Sequence, residues 1–220
     1  MSVAAANESY FANSWLLAEA EGYQYDRSAA ALKRIADPNP DPGRRNPKGV
    51  FDRTGGLIYR RRVLLGSDNR LYRFAAKRHM GGGSMSPLLN SPWWIERERL
   101  HLLAYRAREA RRPLVEMARD QLALPDDWTD ADILVGVTIR SSVMLAAHAG
   151  PGRTAAGARE RRVVAPEAPH LFLDQMYIPG LGRHPGLGKP WGSQGEANVG
   201  VWFDLRTASS FDPPEAGVHG

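Results

Sequence analysis

Trp93 and Trp94 stand side by side in Ser91-Pro92-Trp93-Trp94-Ile95-Glu96, and an indole is the side chain best suited to wall a flat ring. Each offers a broad apolar face and one N–H donor, so it can stack on a bound heterocycle or fill a core. Both uses stand open at this level. The six histidines, at positions 79, 101, 148, 170, 184 and 219, show none of the paired spacings that assemble a zinc site, and no metal is expected. The absence of cysteine leaves no thiolate nucleophile, no thiolate metal site and no disulfide framework. Gly81-Gly82-Gly83-Ser84 has the composition of a phosphate-cradling loop but no lysine-serine pair or helix in register, and it reads as an entry to the next element. No Gly-x-Ser-x-Gly elbow points to an α/β-type hydrolase.

Composition narrows the classes. The chain has 220 residues, 43% hydrophobic and 24% charged, a balance that fits a globular fold rather than a disordered or membrane-embedded chain. No apolar run approaches the roughly 20 residues that span a bilayer, and no membrane association is expected. The opening Met1-Ser2-Val3-Ala4-Ala5-Ala6-Asn7-Glu8 lacks a basic region followed by a long apolar core, so synthesis and folding in a cytoplasm are expected. Secretion followed by action in a target-cell cytoplasm stays open. The formal charge of +5 comes mainly from arginine, clustered at Arg60-Arg61-Arg62, Arg111-Arg112 and Arg159 to Arg162. Such a field attracts polyanions and anionic cofactors alike, so a basic nucleic-acid-binding module or nuclease accessory is the alternative to an enzyme.

The elements that must position these residues follow from periodicity. Two short helices are expected between residues 8 and 36, around Tyr10 to Leu16 and Ala29 to Ile35. The alternating prolines of Asp37-Pro38-Asn39-Pro40-Asp41-Pro42-Gly43 then forbid regular structure. This divides the chain into a helical N-terminal arm with a proline-rich linker, 1–49, and a main domain, 50–220. Leu57 to Leu65 and Leu71 to Phe74 read as strands, and Gly66-Ser67-Asp68-Asn69 suits a hairpin turn between them. Ser91 as cap and Pro92 at the first helical position predict a helix from Ser91 to about Arg112 with Trp93, Leu100, Leu103 and Ala107 buried. A second helix is expected from Pro113 to Leu122, with Leu114, Met117 and Ala118 inward. Ile133 to Ile139 reads as a strand, Arg140-Ser141-Ser142 as a turn and Val143 to Ala147 as a return strand. Leu171 to Ile178 and Val199 to Leu205 are further strands. The mixture predicts an α+β domain.

Leu71-Tyr72-Arg73, the Ser-Pro-Trp-Trp segment, Leu122-Ala123-Leu124-Pro125-x-x-Trp128, the Ile133 to Ile139 strand and Gln175-Met176-Tyr177-Ile178-Pro179 occur in an order that resembles one group. The chain resembles the NAD-cleaving toxin domains of the ADP-ribosyltransferase superfamily, including tuberculosis necrotizing toxin-like NAD glycohydrolases and related bacterial polymorphic toxins. The resemblance covers roughly residues 57 to 179. It implies a split β-sandwich of the ADP-ribosyltransferase type that holds NAD+ and cleaves its nicotinamide-ribosyl bond, by hydrolysis or by transfer to a macromolecular acceptor. It also implies an immunity protein or secretion adaptor as partner.

Carried over to this sequence, the resemblance makes Arg73 the contact for the cofactor's phosphates or ribose, a role suited to a guanidinium fork. Tyr72, Ser91, Trp93 and Trp94 would hold the nicotinamide end, and Gln175 would orient the nicotinamide ribose as the glycosidic bond lengthens. The family's glycines before this glutamine are replaced here by Pro169-His170-Leu171-Phe172-Leu173-Asp174. Ser193-Gln194-Gly195-Glu196, read as a loop entering the Val199 strand, resembles the catalytic loop of arginine-specific ADP-ribosyltransferases. It makes Glu196 the rival catalytic residue, and Ser141-Ser142 could serve as the serine motif of such a site.

Overall fold

Most β-branched and aromatic runs of the chain pair into one main antiparallel sheet, and the amphipathic runs pack as helices on it. The computed structural model describes residues 4–11, 13–22, 55–80, 84–125, 129–153, 155–156, 163–164, 173–184, 187 and 193–213. Within them lie α1 (Glu8–Phe11), α2 (Ser14–Ala20), β1 (Arg61–Leu65), β2 (Arg70–Ala75), α3 (Ser86–Leu89), β3 (Trp93–Glu96), α4 (Arg97–Glu109) and α5 (Leu114–Leu122). There follow β4 (Ile133–Ile139), β5 (Leu145–Pro151), the short pair β6 (Ala155–Ala156) and β7 (Val163–Val164), β8 (Asp174–Tyr177), α6 (Ser193–Trp202) and β9 (Phe203–Phe211). The main sheet has seven strands in the order β1-β5-β8-β3-β2-β4-β9. The protein is α+β, as expected.

Side chains alternate across the strands, so the sheet carries a core on each face. Leu71 and Ala75 of β2, with Val135 and Val137 of β4, pack against Leu88 and Leu89 of α3 and Val199 and Trp202 of α6. On the other face Tyr72 and Phe74 of β2 meet Leu100, Leu103 and Ala107 of α4 and Leu114, Met117 and Ala118 of α5. The inward residues read for these two helices are those observed, except Trp93, which lies in β3 and is half-buried. Covered on both faces, β4 is buried at nearly every position, which explains its continuous apolar run.

The Ser91 helix start is corrected. Trp93 to Glu96 form β3, and the helix begins at Arg97 behind an extended Glu96 that makes no side-chain cap. Two indoles and an isoleucine favour a pleated surface, and pairing partners on both sides override the Ser-Pro signal. Ser91 Oγ accepts instead from the Trp93 backbone N–H at 3.3 Å.

Two other corrections share one cause. The turn at Gly66 to Asn69 forms, with Gly66 N–H donating to Asn69 Oδ1 at 2.8 Å. Yet β1 pairs with β5, while β2 pairs with β3 and β4. The strand after Arg140-Ser141-Ser142 likewise leaves β4 and joins β1 and β8. Both turns therefore carry the chain between two halves of the sheet, and neither makes a hairpin. Finally, most of the Val199 to Leu205 strand is the end of α6, and β9 begins only at Phe203.

The described N-terminal residues are tied into this fold. Asn7 is fully buried, and its amide donates to Ala146 O at 2.7 Å and Pro179 O at 3.0 Å while its oxygen accepts from Ala146 N–H at 2.7 Å. The Ala29 to Ile35 helix and the proline linker lie outside the described residues.

Phe11 of α1 lies against His148 of β5, ring centroids 4.4 Å apart. Burial, reinforced by Arg60 and Arg62 against a weaker pull from Glu21, lowers the His148 pKa from 6.5 to about 4. The unfolded chain therefore binds this proton more readily than the folded one, so stability is present above pH 6.5 and lost as pH falls toward 4. The loss expected from this one group is on the order of 2–3 kcal/mol. Urea unfolding at pH 7 and pH 4.5 should show His148→Phe losing less stability than the wild type, and equal losses would rule the mechanism out.

Candidate functional site

Strand β3 is shared unevenly between its neighbours. Trp93 and Trp94 pair with Tyr177 and Met176 of β8, whereas Ile95 and Glu96 pair with Tyr72 and Leu71 of β2. Each neighbour follows β3 for two residues and then leaves it, so β2 departs at Arg73 and β8 departs at Gln175. A cavity of about 200 Å³ opens at this split. Its walls include Tyr72, Arg73 and Phe74 of β2, Ser91 and Trp93 to Ile95, Gln175 of β8, Leu122 at the end of α5 with Ala123 and Leu124 after it, and Gly55, Gly56, Thr129 and Arg153.

Arg73 enters the cavity wall from an otherwise apolar face. Its Nη1 donates to Leu88 O at 2.6 Å and its guanidinium lies 6.0 Å from the Trp94 ring centre. Among the described residues no carboxylate pairs with it. Burial lowers its pKa to about 10, so it stays cationic at neutral pH. A charge partly removed from water without a counter-ion is costly, and an anionic ligand would supply the missing partner. Arg153 adds a second cation, and no Asp or Glu is among the described lining residues.

Gln175 is 7% exposed, and its Nε2 donates to Leu122 O at 2.8 Å. That carbonyl belongs to the last turn of α5, which closes with Ala123 in the left-handed conformation at φ 50°. With Nε2 engaged, Oε1 is the acceptor that Gln175 can offer a ligand.

The two indoles divide the alternatives left open above. Trp94 is 2% exposed, donates from Nε1 to Ser91 O at 2.7 Å and meets Phe203 edge-on at 5.3 Å, so most of its surface is spent on the core. Trp93 is half-buried, edge-on to Tyr177 at 5.0 Å, and is the indole with surface left for a ring.

Glu196 lies elsewhere. It sits in the first turn of α6, more than half exposed, 3.5 Å from Arg183 and outside the cavity lining. The loop reading of this segment is therefore corrected. Gly195 between Gln194 and Glu196 has a packing reason: a Cβ there would come within 2.4 Å of Gly182 O. The Arg60 to Arg62 cluster is also accounted for, since these residues reach Glu21 at 2.6 Å, Asp174 at 2.8 Å and Glu8 at 2.8 Å respectively. Arg159 to Arg162 lie outside the described residues.

Sequence reasoning missed Gly55, Gly56, Thr129 and Arg153 as wall residues. Arg153 lies in the Gly/Ala/Arg-rich stretch from Ala149, where composition alone gave no reason to choose it. The fold and site thus define an α+β protein with a cation-lined cavity at a split in an antiparallel sheet. No family model, curated protein or solved structure matches the chain.

Proposed function

We propose that this protein binds NAD+ and breaks its nicotinamide-ribosyl bond, by hydrolysis or by ADP-ribosyl transfer, as a bacterial toxin or effector. One observation carries the reading. Tyr72, Arg73, Ser91, Trp93, Trp94 and Gln175, marked for an NAD site by resemblance and separated by up to about a hundred positions, line one cavity. The split of β3 between two neighbours also suits a split β-sandwich of the ADP-ribosyltransferase type.

In this reading the NAD+ diphosphate lies on Arg73, Trp93 walls the nicotinamide ring, and Gln175 Oε1 accepts a ribose hydroxyl. The carbonyl of Gln175 strengthens that bond as positive charge grows on the ribose, which lowers the barrier without a proton transfer by the side chain. Water or an acceptor nucleophile then takes the ribosyl carbon. A nucleic-acid-binding module draws less support, because the charge of one of its three arginine clusters, Arg60 to Arg62, is largely offset by carboxylates.

Incubating the purified chain with NAD+ should release free nicotinamide, and adding candidate acceptors should show whether ADP-ribose becomes covalently attached. Intact NAD+ after prolonged incubation with folded protein, with and without acceptors, would sink the proposal. No described helix is long and apolar enough to cross a membrane. Delivery into a target cell and neutralisation by an immunity partner belong to the same proposal.

A further inference from the structure

The Gln175 amide occupies space that exists only because residue 152 is glycine. Gly152 follows β5, bridges Leu57, and stands beside β8, where Gly150 pairs with Gln175 and Pro151 with Asp174. A Cβ on Gly152 would lie 2.3 Å from Gln175 Nε2, 3.4 Å from Gln175 Cδ and 3.7 Å from Leu122 O. Only the terminal amide is too close. The backbone makes no separate demand for glycine, since the positive-φ glycines are Gly22, Gly55, Gly56, Gly180 and Gly182. Gly150 differs, because a Cβ there would strike the Ile58 carbonyl at 2.6 Å. At position 152 a methyl group can therefore fit if the amide gives way, and the atom that must move is the same Nε2 that donates to Leu122 O.

We propose that Gly152 is a positioning residue for Gln175, an inference that rests on Gln175 contacting the substrate ribose. By leaving its side-chain space empty, Gly152 lets Nε2 stay on the Leu122 carbonyl and so holds Oε1 toward the cavity as an acceptor. The amide then cannot exchange its two ends, and its Oε1 accepts from a ligand donor such as a hydroxyl. Gln175 is thus held by one backbone carbonyl that it binds and by one Cβ that is absent.

The test is a double-mutant cycle in the full chain with Gly152→Ala, Gln175→Ala and both together, read by nicotinamide release and by urea unfolding. Gly152→Ala should lower kcat about 10-fold or more, with KM for NAD+ changed less than about 2-fold. Added to Gln175→Ala it should cost nothing further in rate or stability, because the colliding amide is gone. Wild-type kcat in Gly152→Ala, or a loss that adds in full to that of Gln175→Ala, overturns the proposal while leaving the NAD reading intact. Should Gly152→Ala alone fail to fold, a folded double variant supports the collision and an unfolded one overturns it. A wild-type chain that releases no nicotinamide removes the NAD reading and this proposal with it.

Discussion

Gln175→Ala is expected to reduce the rate of nicotinamide release by roughly 100-fold while leaving KM for NAD+ nearly unchanged. The reason is that its Oε1 contact strengthens as the ribosyl cation develops and adds little before the bond lengthens. Folding should survive the change. Nε2 makes one hydrogen bond to Leu122 O at 2.8 Å, and losing one such bond costs about 1 kcal/mol. Glu196→Ala provides the contrast, because this side chain is exposed on α6 and outside the cavity. Its effect should be much smaller. If both variants stay folded and only Glu196→Ala is inactive, the site is misassigned and the transferase reading based on Glu196 takes its place. If neither change matters, the resemblance to NAD-cleaving toxins has failed as a guide to this chain.

Arg73→Met should weaken NAD+ binding by 10-fold or more, because hydrogen bonds to charged groups are worth roughly 1.5–3 kcal/mol. Unlike Gln175, Arg73 would engage its phosphate partner before the bond breaks, so the defect should appear in KM as well as in kcat/KM. The same substitution should not destabilise the unliganded protein. The guanidinium is partly buried without a carboxylate partner among the described residues, desolvation lowers its pKa to about 10, and methionine fills comparable space without that desolvation cost. Binding and stability therefore move in opposite directions, as expected for a residue kept for function. Isothermal titration with NAD+ alongside urea unfolding would separate the cases. Lower stability with unchanged affinity would make Arg73 a structural residue and remove the phosphate contact.

The inward faces of α4 and α5 were legible in the sequence because helical periodicity is a local property. Leu100, Leu103 and Ala107 recur at helical spacing, as do Leu114, Met117 and Ala118, and each set needs only one neighbouring surface to be buried. The Ile133 to Ile139 strand was legible for a similar reason, a continuous apolar run flanked by breakers. Arg73 and Gln175 could be marked from short motifs around them, although no local signal says that β2 and β8 meet at one split.

Tertiary structure decided the pairing. The turns at Gly66 to Asn69 and Arg140 to Ser142 have the chemistry of hairpins, yet the strands they join belong to opposite halves of the sheet. Turn residues determine how tightly the chain reverses, and strand partners are chosen by which apolar face can be buried. Ser91 and Pro92 gave a valid local signal for a helix start. It lost to the pairing of Trp93 and Trp94 with β8 and of Ile95 and Glu96 with β2, contacts made to residues up to about eighty positions away. The same competition turned the segment around Glu196 from a loop and strand into α6. Gly152 was the least legible position of all, because its importance lies in a space occupied by the side chain of Gln175. A glycine's neighbours across a sheet are long-range contacts, and only the folded chain specifies them.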